Sequence, residues 1–410
     1  MTGWDLVAVQ RRTVAVLVAG QVLGGLGIGA IISVGAVLAA EVAGSESWAG
    51  AAATLSTLGA ALVALPLSRL AQRAGRRIAL TTGTLAAALG AAIVIAAAAA
   101  SSFPLLLVGF AFIGSGVAVN LQSRFAATDV ASDAHRGRDL SIVVWSATVG
   151  SVIGPNLFAP GEQIAEWLGM PPLTGPFAIA IAAQVLAAVV YLLALRPDPF
   201  LISRELAAAP ARPTDDGDVR GASLLVLAIA AVAVSHAVMV SVMSMTPVHL
   251  LHNGAALTLI GLTISLHIAG MFGLSPVFGW LSDRIGRIPT ILVGQALFAV
   301  SLVVLALGYA DQTLVTVGLV LLGLGWSAST VAGSALVADL VTGAARTRIQ
   351  GRTDLVMNLA GAAGGASAGP VLAAIGYPGL ASLAGILVAV TIVGVLVVAS
   401  GRGRMPQPVR

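Results

Sequence analysis

Apolar residues in this chain fall into long runs separated by short polar gaps, and the gaps are of two kinds. The runs lie at about 13–40, 49–69, 78–100, 103–125, 139–160, 174–195, 222–249, 257–281, 288–308, 313–337, 354–375 and 379–400. A helix needs about 20 apolar residues to cross the hydrocarbon core of a bilayer, so the pattern predicts twelve membrane-spanning helices. All 21 basic residues are arginines. Arg11 and Arg12 precede the first run, and Arg69, Arg73, Arg76 and Arg77 follow the second. Arg124, Arg136 and Arg138 follow the fourth; Arg196, Arg204, Arg212 and Arg220 the sixth. Arg284 and Arg287 follow the eighth, Arg346, Arg348 and Arg352 the tenth, and Arg402, Arg404 and Arg410 the last. The odd-numbered gaps hold none. Cationic loops resist translocation, so this alternation predicts a multi-pass protein of the plasma or inner membrane with both termini cytoplasmic.

Composition agrees. Charged residues make up 9% of the chain and hydrophobic ones 58%, against about 25% charge in a soluble domain. A net charge of +4 and a pI near 10.5 would suit nucleic acid, but the arginines follow the gaps, so the predicted partner is the lipid bilayer and no nucleic acid. With no cysteine there is no disulfide and no thiolate metal site. The run after Arg12 is too long for a signal-peptide core of about 7–15 residues and reads as the first helix.

The longest polar stretch, 196–220, is rich in Pro, Asp and Arg and predicts a flexible cytoplasmic linker. It divides the chain into an N-terminal six-helix bundle, 1–195, and a C-terminal one, 221–410. The outer loops are predicted to be short, at Ser101-Ser102 and Tyr377-Pro378, the largest being 160–173 with Glu162 and Glu166. The halves share landmarks. Arg73-x-Gly75-Arg76 follows span two and Arg284-x-Gly286-Arg287 follows span eight. Span five carries Gly150-x-x-x-Gly154-Pro155 and span eleven Gly365-x-x-x-Gly369-Pro370, with Asp139 and Asp354 at matching distances before each proline. A duplicated six-helix unit suits alternating access.

The loop Gly279-Trp280-Leu281-Ser282-Asp283-Arg284-Ile285-Gly286-Arg287 resembles the signature loop of the major facilitator superfamily. The resemblance implies an all-α membrane fold of twelve helices in two pseudo-symmetric six-helix bundles. It also implies a gating role for Gly279, Asp283, Arg284, Gly286 and Arg287, with Asp283 latching helices on the cytoplasmic face. The first-half copy is degenerate, with Ser68 in place of Gly and Gln72 in place of Asp. Gly150–Pro155 resembles the span-five signature of the superfamily's exporters, although packing explains it equally well. The 17 acidic residues fall in loops or at span ends, Asp139 and Asp354 reading as helix caps. Phe110 stands where the family's buried arginine is expected.

Spans seven and eight concentrate soft ligands. Four of the five His lie between 236 and 267, and four of the eight Met between 239 and 271. Met239-x-x-x-Met243 and His267-x-x-x-Met271 each place two ligands on one helix face. With a rise of about 1.5 Å per residue, Met239 and His267 would lie level, each roughly 15 Å below the outer end of its span. Thioether and imidazole suit Cu(I); Met is also flexible packing, whereas an intramembrane His needs partners. His236 is a further candidate, as a ligand or a hydrogen-bonded packing residue, and His249-x-x-His252 lies at the outer mouth. The stretch Met243-Ser244-Met245-Thr246-Pro247, then His267 to Phe272 and Gly279-Trp280-Leu281, resembles the CcoA-like branch of the superfamily. That branch implies copper import through Met239, Met243, His267 and Met271, and it also resembles riboflavin importers.

The leading expectation is therefore a copper importer, with copper as substrate and no cofactor. The alternative is an importer or exporter of a small organic solute, riboflavin-like or drug-like, its cavity lined by residues such as Gln21, Asn120, Gln122, Trp145, Asn156, Gln184, Trp326 and Asn358. A non-transporting membrane sensor or assembly factor is a third reading. No nucleophile–base pair or phosphate loop points to an enzyme. A monomer is the expected state.

Overall fold

The computed structural model describes residues 5–131, 136–206, 221–341 and 343–401. Thirteen α-helices account for almost all of them: α1 Leu6–Ala43, α2 Ala51–Ala99, α3 Phe103–Ala126, α4 Arg136–Ile153, α5 Phe158–Leu168, α6 Gly175–Ala194, α7 Pro199–Leu206, α8 Ala222–His252, α9 Leu257–Phe272, α10 Ser275–Ile285, α11 Arg287–Leu307, α12 Gln312–Leu340 and α13 Gly343–Gly401. Caps mark several ends. The Asp5 carboxylate accepts from Val7 and Ala8 N–H at the start of α1, and Asp311 does the same for Thr313 and Leu314 at the start of α12.

Among the described residues, ten helical stretches are long and apolar enough to cross a membrane. Two of them, Glu46–Ala99 and Gly351–Val398, are 54 and 48 residues long, about twice the length one crossing needs. Each is broken by a glycine, Gly75 at φ 87° and Gly376 at φ 69°. These are backbone conformations open to glycine and costly for any residue with a Cβ. The expected division into spans two and three, and into eleven and twelve, falls at these breaks.

Two expectations need correction, for the stretch 160–173 and for span eight. The stretch 160–173 is largely helical: α5 occupies it to Leu168, and Glu162 Oε2 accepts from Leu173 N–H at 2.8 Å. The turn expected at Tyr377-Pro378 falls beside the break at Gly376, and Tyr377 itself is buried there, 2% exposed, with its hydroxyl paired with Thr246 Oγ1 at 2.8 Å. Span eight is not one helix. It stops at Phe272 and restarts at Ser275, where Pro276 suits a first turn because the missing N–H has no intrahelical partner there. Within the linker, 199–206 forms α7, while Thr214 and its neighbours 207–220 lie outside the described residues.

The chain forms two compact units. The first is Met1–Arg212 with Leu250–Ser265; the second is Pro213–His249 with Leu266–Arg410. The first has a core of Leu17, Leu67, Leu80, Val143 and Tyr191. The second packs Leu224, Ala228, Ile291, Ala332 and Leu336. Helix contacts are close because the residues are small. A Cβ on Gly59 would stand 1.9 Å from Ala111 O, and one on Gly150 would stand 1.9 Å from Val22 O. Backbone thus meets backbone, as glycine-rich membrane interfaces allow. In the second unit the approach of α13 to α8 is carried by Gly361 and Gly364, whose added Cβ atoms would meet His236 and Ala237.

Candidate functional site

The expected ligand ladder begins with residues that are largely buried. Met239 is 2% exposed, Met271 7% and His267 0%, with Met243 half-buried. The ring of His267 is held by α12: its Nδ1 lies 2.7 Å from Leu319 O and packs beside Gly323. Since a carbonyl only accepts, Nδ1 carries the proton and Nε2 presents a lone pair. That Nε2 is buried without a hydrogen-bond partner. Among the described residues no three His, Cys, Asp or Glu side chains group to hold a metal ion.

His236 takes part in a different arrangement. Trp326 Nε1–H donates to His236 Nδ1 at 3.0 Å, and the edge of Phe272 meets the Trp326 ring at a centroid distance of 5.6 Å. All three side chains are half-buried. The imidazole lies against Gly361, where a Cβ would approach its Cδ2 to 2.5 Å. Together they form a cluster of three rings, drawn from α8, α9 and α12, that carries no formal charge while His236 is neutral. His249, expected at the outer mouth, is instead packed: it stacks on Tyr377 at 4.2 Å, and its Nε2 meets Tyr309 O at 2.7 Å.

The cavity candidates divide. Gln21, Asn120 and Gln184 line a small cavity in the first unit, together with Thr84, Tyr191 and several glycines. Asn156 is used in packing; its amide donates to Val152 O and, at 2.7 Å, to Ser265 Oγ. Gln122 accepts from Arg76 Nη1 at 2.8 Å. Asn358 bonds back to Asp354 O on its own helix, and Trp145 is exposed. Phe110 is fully buried against Phe177. Asp139, expected as a cap, accepts from Gln10 Nε2 at 2.7 Å and so ties α4 to α1.

At the loop after α10, Gly286 has φ 98° and ψ 163°, nearly the values of Gly75. Arg287 bonds Asp283, Ser282 Oγ at 3.0 Å and Asp339 at 2.9 Å, while Arg284 lies over the Trp280 ring at 5.2 Å. Nothing lies within 4 Å of a Cβ built on Gly279. The degenerate first-half loop has comparable contacts from elsewhere. Arg76 forms a two-pronged pair with Asp129, at 2.8 and 3.2 Å, and Asp198 Oδ2 accepts from Arg77 N–H at 2.8 Å. Burial pushes the Asp129 carboxyl above the usual carboxylate range, against the pull of the Arg76 guanidinium. Neither acid was singled out from the sequence, which offered only the position of Gln72.

The model of the Major Facilitator Superfamily matches residues 17–253 and 225–409 of this chain. Two proteins of Bacillus subtilis (strain 168), the MFS-type transporters YdeG and YddS, are each 38% identical to it. The first alignment covers 96% of this chain and 93% of YdeG, the second 94% and 90%. The riboflavin transporter RfnT of Brucella anthropi is 28% identical over 85% of each chain. Among solved structures, a D-xylose–proton symporter superposes with a TM-score of 0.73 at 16% identity, over 94% of this chain and 96% of that one. A bacterial homolog of the human lysosomal transporter Spinster gives 0.71 at 15%, over the same shares.

Proposed function

The chain belongs to the Major Facilitator Superfamily, and from that premise we propose that this alternating-access transporter carries a small, uncharged organic solute with a planar ring system, flavin-like in its chemistry. The ring cluster His236–Trp326–Phe272 carries the reading. Aromatic faces bind planar rings by offset or edge contacts worth about 0.5–1.5 kcal/mol per pair beyond area burial. The Nδ1 of His236 is already committed to Trp326, which fixes both rings. The relative whose name states a substrate is a riboflavin transporter, at 28% identity. The polar residues of the first unit's cavity are amides and hydroxyls rather than ionised groups, which favours a neutral solute over an ion.

Copper is the second reading, on one observation: the buried, unpartnered Nε2 lone pair of His267, four residues before Met271. The bond from the other ring nitrogen to Leu319 O fixes this tautomer and fits a metal-ligating and a packing histidine alike. Uptake of radiolabelled riboflavin and of copper-64, by cells with and without the protein, separates the two. Riboflavin uptake that falls about tenfold in Trp326→Ala at matched expression supports the ring reading. Copper-64 uptake lost in His267→Ala, with no riboflavin uptake, replaces it.

A further inference from the structure

The two units differ at one set of corresponding positions, and the difference leaves a space in the first. In the second unit Gln295 is fully buried and its Nε2 donates to Ser235 Oγ at 2.8 Å and Ser329 Oγ at 3.0 Å, joining α11, α8 and α12. The counterparts in the first unit follow from the landmarks. Thr84 stands as far beyond Arg76 as Gln295 stands beyond Arg287. Asn120 stands as far beyond the cap residue Ser102 as Ser329 beyond the cap residue Asp311. On α1, Gly150 packs over Val22 O, just after Gln21; on α8, Gly364 packs over Ala237 O, just after His236. Gly364 is the residue before Gly365, the counterpart of Gly150, so this packing sets Gly20 and Gln21 against Ser235 and His236 to within one residue.

The crosslink cannot form in the first unit. Gly20 has no side chain, and the short Thr84 turns its hydroxyl back to Leu80 O at 2.7 Å. The place of the network is the small cavity, whose lining includes Gly20, Gln21, Thr84 and Asn120. Gln21, on its wall, is 2% exposed, and its Nε2 is buried without a hydrogen-bond partner. A buried donor without an acceptor carries its desolvation cost uncompensated, so this N–H is a standing demand for an acceptor.

We propose that this cavity is a binding subsite for one carbonyl or hydroxyl oxygen of an uncharged solute, received by the Gln21 amide N–H. The proposal rests on the reading of the protein as a carrier of a neutral organic solute and names the group that such a solute must present. Three features set the class. The cavity has room for about one water-sized group, which fits a single oxygen and excludes a ring. Its polar walls are amides and hydroxyls, so an ionised carboxylate or phosphate would be desolvated there without a counter-charge. Two lining atoms are buried without a partner, Gln21 Nε2 and the Tyr191 hydroxyl; both can donate, so the incoming atom accepts. In a flavin, both the ring carbonyls and the sugar-alcohol chain offer such an oxygen.

The test uses the purified full-length protein and four probes: riboflavin, lumiflavin (the ring system without the chain), uridine and ribitol. Flavin binding is read by fluorescence quenching, and stabilisation by all four as a thermal shift. Gln21→Leu should weaken riboflavin binding about 3- to 10-fold, the worth of one neutral hydrogen bond. If lumiflavin binding weakens alike, the oxygen is a ring carbonyl; if lumiflavin is unaffected, it is a chain hydroxyl. Gly116→Ala is the second variant, for use if Gln21→Leu fails to fold. Its Cβ would stand 3.3 to 3.5 Å from Ala87, Gln184 and Ile28, so it narrows the cavity without forcing helices apart, and it should weaken binding in the same way. If neither flavin binds the unaltered protein, the flavin reading falls. A Gln21-dependent thermal shift by uridine or ribitol would then still uphold the subsite. Probe responses unchanged in both variants, with only stability altered, overturn the proposal and leave the cavity as the seat of a structural water.

Discussion

Arg76 and Arg287 hold the same post in the two copies of the repeat; Arg76 is fastened by Asp129, in the turn after α3, and Arg287 by Asp283 on α10 and Asp339 on α12. The environments differ. The Arg76 and Asp129 side chains are 11% and 12% exposed, whereas Asp283 is 71% exposed. Removing one partner of a buried pair leaves an uncompensated charge and costs about 3–5 kcal/mol; an exposed pair is worth about 0–1 kcal/mol. Asp129→Asn should therefore lower the melting temperature of the purified protein well below that of Asp283→Asn, which should stay close to the unaltered protein. Equal shifts would show that burial does not set the strength of these two contacts. The sequence points the other way, because the loop keeps its acid at Asp283 and lacks one at Gln72. The substitute acid stands 53 residues from its arginine, and no local motif reports a partner so far along the chain. The soft-ligand residues were legible as a cluster but not in their contacts. Which face of His267 turns to Leu319 is decided by helix rotation and neighbours, not by the spacing to Met271.

Helices were legible by length, and their breaks less so. The apolar runs locate nearly every crossing, since hydrocarbon thickness sets how many residues must be apolar. They do not report where the backbone turns. Glu162 read as loop because it is charged, yet it sits on a helix whose polar edge binds Leu173 N–H. Tyr377 read as a turn residue and does sit beside the break at Gly376, but its stacking on His249 left no trace in the sequence. Glycine has two separable uses at this scale. At Gly75, Gly286 and Gly376 it supplies a backbone conformation; at Gly150 it supplies room. Gly150→Ala puts a Cβ 1.9 Å from Val22 O and 2.5 Å from Leu26 N. Backbone atoms cannot yield as a flexible side chain does, so α1 must move away from α4. This variant should lose most of its monodisperse peak in size-exclusion chromatography after detergent extraction. Gly279→Ala, with open space around its Cβ, should keep that peak, although Gly279 belongs to the signature loop. A normal Gly150→Ala profile would mean that the α1–α4 contact is looser than its geometry.

For the whole molecule the strongest sequence signal is the distribution of arginine, and it bears on orientation, which a fold by itself does not settle. The two units could be threaded through a bilayer in either sense with the same internal contacts. The choice is made during insertion, where short loops bearing arginine are retained on the cytoplasmic side. Every gap of one parity carries arginine and every gap of the other carries none, so each loop votes for the same orientation, with both termini inside. Because the chain has no cysteine, single cysteines can be introduced without background. Ser101 is an exposed turn residue at φ 47°, and Trp167 is 84% exposed near the end of α5; both belong to arginine-free gaps. Cysteine at either position should react with a membrane-impermeant maleimide added to intact cells, and cysteine at Thr214, in the arginine-bearing stretch 196–220, should react only after the cells are opened. Glu162 is a poorer reporter than its place in the sequence suggests, since its carboxylate holds Leu173 and its replacement would disturb the segment being probed. Labelling of Thr214→Cys from outside, with Ser101→Cys silent, would reverse the orientation. The fold and each unit's contacts would stand, but the side on which the solute enters or leaves, and the membrane face on which the Arg76 and Arg287 contacts lie, would be exchanged.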